Sequence, residues 1–320
     1  MAAIASSSWI VGRRDDLLFF SGSAILGYCV LLAAFVLGDL PTRFLVAFAF
    51  AIDGPHVYST LTRAFFDRDE RRRLRWVWYV ALPICLLVCP LLAFFLGESG
   101  FLVLIATLSH YHISKQHMGF AMIYKRKAVE RSDYNLDKYF ALVSLVLPFG
   151  FYLSSLALGS TYLLPLFLVP ALAFGVVYAW RQLNYETINK PKLMLLLAFI
   201  PLQWCAWGYA ALEPGSMSRL ITAAVACNVG HSLQYLRLTY FHNHNRYAEG
   251  RGLLSLISRK WIYFLAASIV LASPAQFLLP ASQPVIASVA VGVLFFHFVL
   301  DSRIWRIRGN PALARALKLN

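Results

Sequence analysis

Apolar stretches long enough to cross a bilayer follow one another along this chain, near residues 17–38, 41–62, 76–97, 101–123, 139–159, 161–180, 192–212, 217–238, 261–280 and 283–302. A hydrocarbon core roughly 30 Å thick takes about 17–25 helical residues, so each run is a candidate span. The expected fold class is therefore all-α, a polytopic membrane helical bundle of about ten transmembrane helices. Charged residues make up 14% of the 320 and hydrophobic residues 59%. Soluble domains carry about 25% charge, which excludes that class. The turns Gly38-Asp39-Leu40-Pro41, Gly97-Glu98-Ser99-Gly100 and Pro214-Gly215-Ser216 are too short to hold an outer domain. We expect residues 1–320 to form a single transmembrane catalytic domain, with 303–320 a short basic cytoplasmic tail.

The net charge of +14 would point to nucleic acid in a soluble protein, but no nucleic-acid motif is present and no such partner is expected. Its placement matters more than its size. On the ten-span reading all of the 29 Lys and Arg except Arg43 and Arg219 fall on one side. Basic loops stay cytoplasmic during insertion, which puts both termini in the cytoplasm. The expected location is the inner membrane of a bacterium. Arg13-Arg14 precedes the first span without a small-residue cleavage site, so that span reads as a retained helix. The five cysteines, Cys29, Cys85, Cys89, Cys205 and Cys227, lack CxxC spacing and read as buried free thiols.

All eight histidines lie on the second, fourth, eighth and tenth spans or just beyond them. Those spans share one direction, so His56, His110, His112, His117, His231 and His297 can meet in the cytoplasmic half of the bundle. Ionisable groups at bilayer depth cost about 2.5–3.5 kcal/mol on insertion scales and normally face the interior for a functional reason. His110 and His117 are seven residues apart and share a helix face, whereas His112 points about 200° from His110 at 3.6 residues per turn. His231, Tyr235, Leu238 and His242 form one stripe. His242 and His244 lie farther along and join the same site only if the chain turns back. His297 and Asp301 are four apart, a spacing that suits a shared metal or a carboxylate orienting an imidazole. Asp53 and His56 flank Pro55, where a kink is expected. Arg63, Lys115 and Arg237 stand near the basic rim, positioned to admit an anionic headgroup or carboxylate. Imidazole and carboxylate donors without a thiolate set suit Fe, Zn, Cu, Co or Mn. Up to ten N/O donors exceed what one ion takes, and two ions are the economical expectation.

His110-x-His112-x4-His117, His242-x-His244, His56, His231 and His297 resemble the ligand pattern of the integral-membrane histidine-cluster iron enzymes, the fatty-acid desaturases, hydroxylases and alkane monooxygenases. The pattern is loosely similar to the bacterial membrane carotene-cleaving dioxygenases as well. The first group's HxxHH boxes are not present. The resemblance implies two irons held by these eight histidines and O2-dependent hydroxylation, desaturation or cleavage of a lipid or other apolar substrate. Asp53 and Asp301 would bridge the metals or fix imidazole tautomers, and Tyr235 would donate a proton or hydrogen bond. Electrons would come from a separate ferredoxin- or reductase-like donor, since no nucleotide fingerprint or Fe–S cysteine set is present. The alternatives are a zinc-dependent lipid amide or ester hydrolase, a haem protein, and a metal or proton transporter. Cobalt and manganese remain open as metals.

Overall fold

The computed structural model describes residues 8–38, 40–130, 133–185, 188–277 and 284–319, with side chains for all of these but 42–50, 274–277 and 284–286. Asp39 of the first expected turn and Arg43, as a side chain, lie outside the described residues. The described chain is all-α, as expected. Its helices are α1 (Ala24–Leu37), α2 (Thr42–Ala64), α3 (Arg68–Arg73), α4 (Leu82–Lys127), α5 (Tyr134–Leu158), α6 (Leu164–Leu183), α7 (Lys190–Ala211), α8 (Met217–Tyr247), α9 (Leu253–Arg259), α10 (Trp261–Phe277), α11 (Pro284–Ile304) and α12 (Pro311–Ala316). Wider π-type turns, Asp16–Ser21 and Val77–Ala81, lead into α1 and α4.

Local chemistry explains where several of these begin and end. Asp67, Asp133, Asn189 and Asn310 each accept a backbone N–H from the first turn of α3, α5, α7 and α12, replacing bonds that a helix start lacks. Gly159 ends α5 in the left-handed region. Gly97 (φ 66°, ψ 178°) interrupts α4, so that the expected spans 76–97 and 101–123 are two segments of one long element. α2 continues through Pro55 as helix.

Among the described residues, six helices are long and apolar enough to cross a membrane: Arg13–Leu37, Val77–Lys127, Tyr134–Leu158, Leu164–Leu183, Lys190–Ala211 and Ala287–Ile304. The difference from ten has physical causes. Val77–Lys127 holds two expected spans, and the apolar part of α10, Trp261–Ser273, is short, with 278–280 outside the described residues. α2 and α8 have 23 and 31 residues, enough for 30 Å at about 1.5 Å per residue; α8 is too polar to qualify by composition, and the side chains of 42–50 in α2 lie outside the described residues. Their polar side chains are turned inward: Ser59, Thr60, Thr62 and Arg63 on α2, and Thr222, Ser232, Gln234, Thr239 and Asn243 on α8, are all buried.

The chain divides into two compact units. The first comprises Met1–Phe48 and Thr107–Gln234. In it α5 packs against α6 and α7, and α1 packs against α7. Phe149, Tyr152, Phe199, Leu202 and Trp207 lie in its apolar core. The second unit comprises Ala49–Ala106 and Tyr235–Asn320. One of its cores joins Ala64, Leu74 and Val77 to Phe296, Leu300 and Ile304, and another joins Leu236, Ile257 and Phe264. Gly292 lets α11 approach α4, since a Cβ there would meet the Cys85 carbonyl oxygen at 2.8 Å. The 303–320 tail is not a loose extension. Its α12 buries Leu313 and Ala316, and Asn245 donates to the Ala316 carbonyl at 2.8 Å. All five cysteines are free, but only Cys89 and Cys227 are buried; Cys29 and Cys205 project outward from α1 and α7.

Candidate metal centre

In the second unit, Asp53, His56 and Thr60 occupy successive turns of α2. They come together with Tyr235 of α8 and with His297 and Asp301 of α11 through rings and hydrogen bonds. The His56 and His297 rings meet edge to face, 4.5 Å between centroids, and Tyr235 packs on both at 4.8 and 5.3 Å. His56, Thr60, Tyr235 and His297 are at most 1% exposed.

The hydrogen bonds fix which nitrogen of each ring carries the proton. Asp53 Oδ1 lies 2.8 Å from His56 Nδ1. A carboxylate only accepts, so His56 Nδ1 donates and Nε2 keeps its lone pair. Tyr235 OH donates to Asp301 Oδ1 at 2.6 Å, which commits the only phenolic hydrogen. Thr60 Oγ1, 2.7 Å from Tyr235 OH, must then be the donor in that contact. With its own hydrogen used, Thr60 can only accept from His297 Nδ1 at 2.8 Å. His297 is thereby also held as the Nδ1–H tautomer, with the lone pair on Nε2, 3.5 Å from Asp301 Oδ2. Imidazoles that ligate metals are typically held this way, by a second ring nitrogen donating to a carboxylate or another oxygen.

In the first unit, His112 and His231 meet edge to face at 5.1 Å, and the His231 carbonyl accepts from Gln116. Within the second unit, the ligand nitrogens of His56 and His297 lie within 4.8 Å of each other, so this unit contains a buried pair of imidazoles able to hold a metal ion.

The other predicted residues are placed differently. His110 donates from Nε2 to the Leu145 carbonyl (2.9 Å) and accepts the Trp207 indole N–H on Nδ1 (3.0 Å). Both ring nitrogens are committed, and the ring stacks on Phe149. His117 donates from Nδ1 to Ile113 one turn back and packs on Phe199 at 4.1 Å. The shared face of His110 and His117 is thus a face of the apolar core. His242 accepts from Arg63 Nη1 at 3.0 Å on Nε2, which leaves its Nδ1–H to Asn243. His244 is exposed and donates to the Ser258 carbonyl.

Arg63 does not stand at a rim. It is fully buried, lies over the Trp305 ring at 4.8 Å, and donates to His242 and to the Ile304 carbonyl. Instead of meeting an incoming anion, its guanidinium ties α2 to α8 and α11. Lys115 is half-buried, and Arg237 lies over the rings of Tyr240 and Trp261. Thr60 went unread in the sequence, although extending the Asp53–His56 stripe by one more turn reaches it.

Comparison with protein families, with curated proteins and with solved structures finds no match.

Proposed function

We propose that this chain is a membrane-embedded non-haem metal oxygenase that oxidises a lipid or other apolar molecule. One metal ion, iron by preference, would be held by Nε2 of His56 and Nε2 of His297. The observation that carries the reading is the pair of Nδ1 clamps, Asp53 on His56 and Thr60 on His297. They aim two lone pairs from one buried cluster. A cation at His297 Nε2 would also relieve the approach of that lone pair to Asp301 Oδ2.

A single ion replaces the expected two, because His110 and His242 have both ring nitrogens engaged. His56 and His297 would hold the ion from the protein side, and iron held there would supply O2 activation. The role of the chain is to hold the donors neutral and oriented, to exclude water with Tyr235 and the surrounding apolar side chains, and to keep the phenolic O–H of Tyr235 directed at Asp301. Zinc hydrolysis is less well supported, since Asp53 and Asp301, the available general bases, are already bonded to His56 and Tyr235. A haem between His56 and His297 is also disfavoured, because rings 4.5 Å apart and edge to face leave no room for the macrocycle.

The ten-span arrangement with both termini in the cytoplasm belongs to the same proposal. The basic cytoplasmic loops would then receive a separate acidic electron donor of ferredoxin or reductase type. Elemental analysis of anaerobically purified protein tests the centre, with an expected value of about one iron per chain. His56→Ala and His297→Ala should each lose most of it while the protein remains folded. Metal-free wild type, or a Soret band in proportion to protein, would overturn the proposal; stoichiometric zinc would move it to hydrolysis.

A further inference from the structure

The hydrogen-bonded chain His297–Thr60–Tyr235–Asp301 has a direction, and the direction is set at the end remote from the imidazole. Asp301 accepts the Tyr235 hydrogen at 2.6 Å, Tyr235 oxygen accepts from Thr60 at 2.7 Å, and Thr60 oxygen accepts from His297 Nδ1 at 2.8 Å. Every link is buried, so water has little access from which to supply a competing donor. The whole run belongs to one unit of the fold. We propose that Tyr235 is a positioning residue that selects the His297 tautomer, and through it the ring nitrogen offered to a metal. This rests on the reading of His56 and His297 as metal ligands and adds to it a role for a side chain that is not itself a ligand.

The argument turns on the fact that each hydroxyl has one hydrogen. If Tyr235 becomes Phe, Thr60 loses the oxygen to which it donates, and its hydrogen turns toward His297 Nδ1. That nitrogen must then accept, and the imidazole hydrogen moves to Nε2. There Asp301 Oδ2, 3.5 Å away and released from the phenol, is ready to take it. Loss of one hydroxyl thus reverses the chain and caps the atom that would bind the metal. No net charge changes, and the phenyl ring still fills the site between His56 and His297. Thr60→Val should act differently. It removes the partner of Nδ1 without offering a donor, so the ring loses its clamp but is not driven to the other tautomer.

The test reads both the ring and the metal. In metal-free protein labelled with 15N-histidine, the His297 signal, assigned by its disappearance in H297Q, should be Nδ1–H in wild type and T60S and Nε2–H in Y235F. Co(II) affinity, measured by competition with a chelator, should fall about 10–100-fold in Y235F, the range typical of lost supporting bonds to metal ligands, and stay near wild type in T60S. Y235F with the wild-type tautomer and wild-type Co(II) affinity would overturn this inference and leave the metal centre standing. Wild type that binds no Co(II) would instead overturn the centre, while the tautomer comparison in metal-free protein would still decide the relay.

Discussion

Asp53 is the point at which negative charge reaches the His56 imidazole, and it does so while about a fifth of its side chain remains exposed. Its bond to Nδ1 both orients the ring and raises the basicity of Nε2. Asp53→Asn keeps an oxygen that can accept but removes the charge, so metal affinity should fall about tenfold, the lower end of the effect of such partners; Asp53→Ala should fall toward a hundredfold. Equal affinities for wild type and Asp53→Ala in a Co(II) competition would show that His56 is not a ligand. The Asp53–His56 and His297–Asp301 spacings were legible in the sequence, because both partners lie on one helix and the helical period brings them together. What Asp301 chiefly bonds was not legible. Its 2.6 Å partner is Tyr235, on another helix, and nothing within α11 signals that choice. The same limit explains His110, whose acceptor and donor, Leu145 and Trp207, come from α5 and α7. A histidine's phase on its own helix says which way it points, and the facing helix decides whether it finds a metal or a carbonyl.

At the scale of helices, the polar content of α2 and α8 is what lowers their hydropathy, and it is also what equips the interior. Another buried polar cluster escaped the sequence reading because its members come from separate loops and helix ends. Lys192, at the start of α7, donates to Glu130 at 2.6 Å and Asp137 at 2.8 Å, and Lys125, at the end of α4, reaches Asp137 at 2.5 Å. Tyr178 and Gln182 of α6 complete the Asp137 carboxylate, and Asn189 completes Glu130. Two cations and two carboxylates balance, and α4, α5, α6 and α7 all contribute. In the sequence these lysines read only as topology anchors. Lys192→Met should leave two buried carboxylates sharing one ammonium and cost about 3–5 kcal/mol, the usual penalty for breaking a buried pair from one side. A denaturation midpoint in detergent within error of wild type would show that water or lipid headgroups replace the lysine. The metal content of any folded fraction should be unchanged, since neither candidate ligand, His56 or His297, takes part.

For the whole molecule, the chain passes between its two units inside α2, α4 and α8. Those helices carry all the histidines but His297. The membrane-like character of the fold was legible because long apolar runs report directly on the solvent that the helix surface meets. The number of crossings was less so, because α2 and α8 hide their polarity inside and hydropathy averages over both faces of a helix. Sidedness follows from charge. If α2 and α8 each cross, all the basic segments fall on one side, leaving only Arg43 and Arg219 at the other ends of these helices, and basic segments remain cytoplasmic. A green fluorescent protein fused after Asn320 should therefore fluoresce, and an alkaline phosphatase fused after Pro214 should be active, since the first works only inside a bacterial cell and the second only outside the inner membrane. If α2 and α8 were instead packed without crossing, the Lys and Arg of successive loops would be distributed to both sides. The 68–75, 125–138 and 181–192 segments would then lie on the side opposite to the one assigned to them here, and the turn at Pro214 would share a side with 246–260. Phosphatase fused within 248–252 separates the arrangements: inactivity there, with activity after Pro214, requires an odd number of crossings between the two points, which α8 alone can supply. Activity at both would remove α8 from the membrane and, with it, the shared cytoplasmic level at which the histidines are proposed to meet.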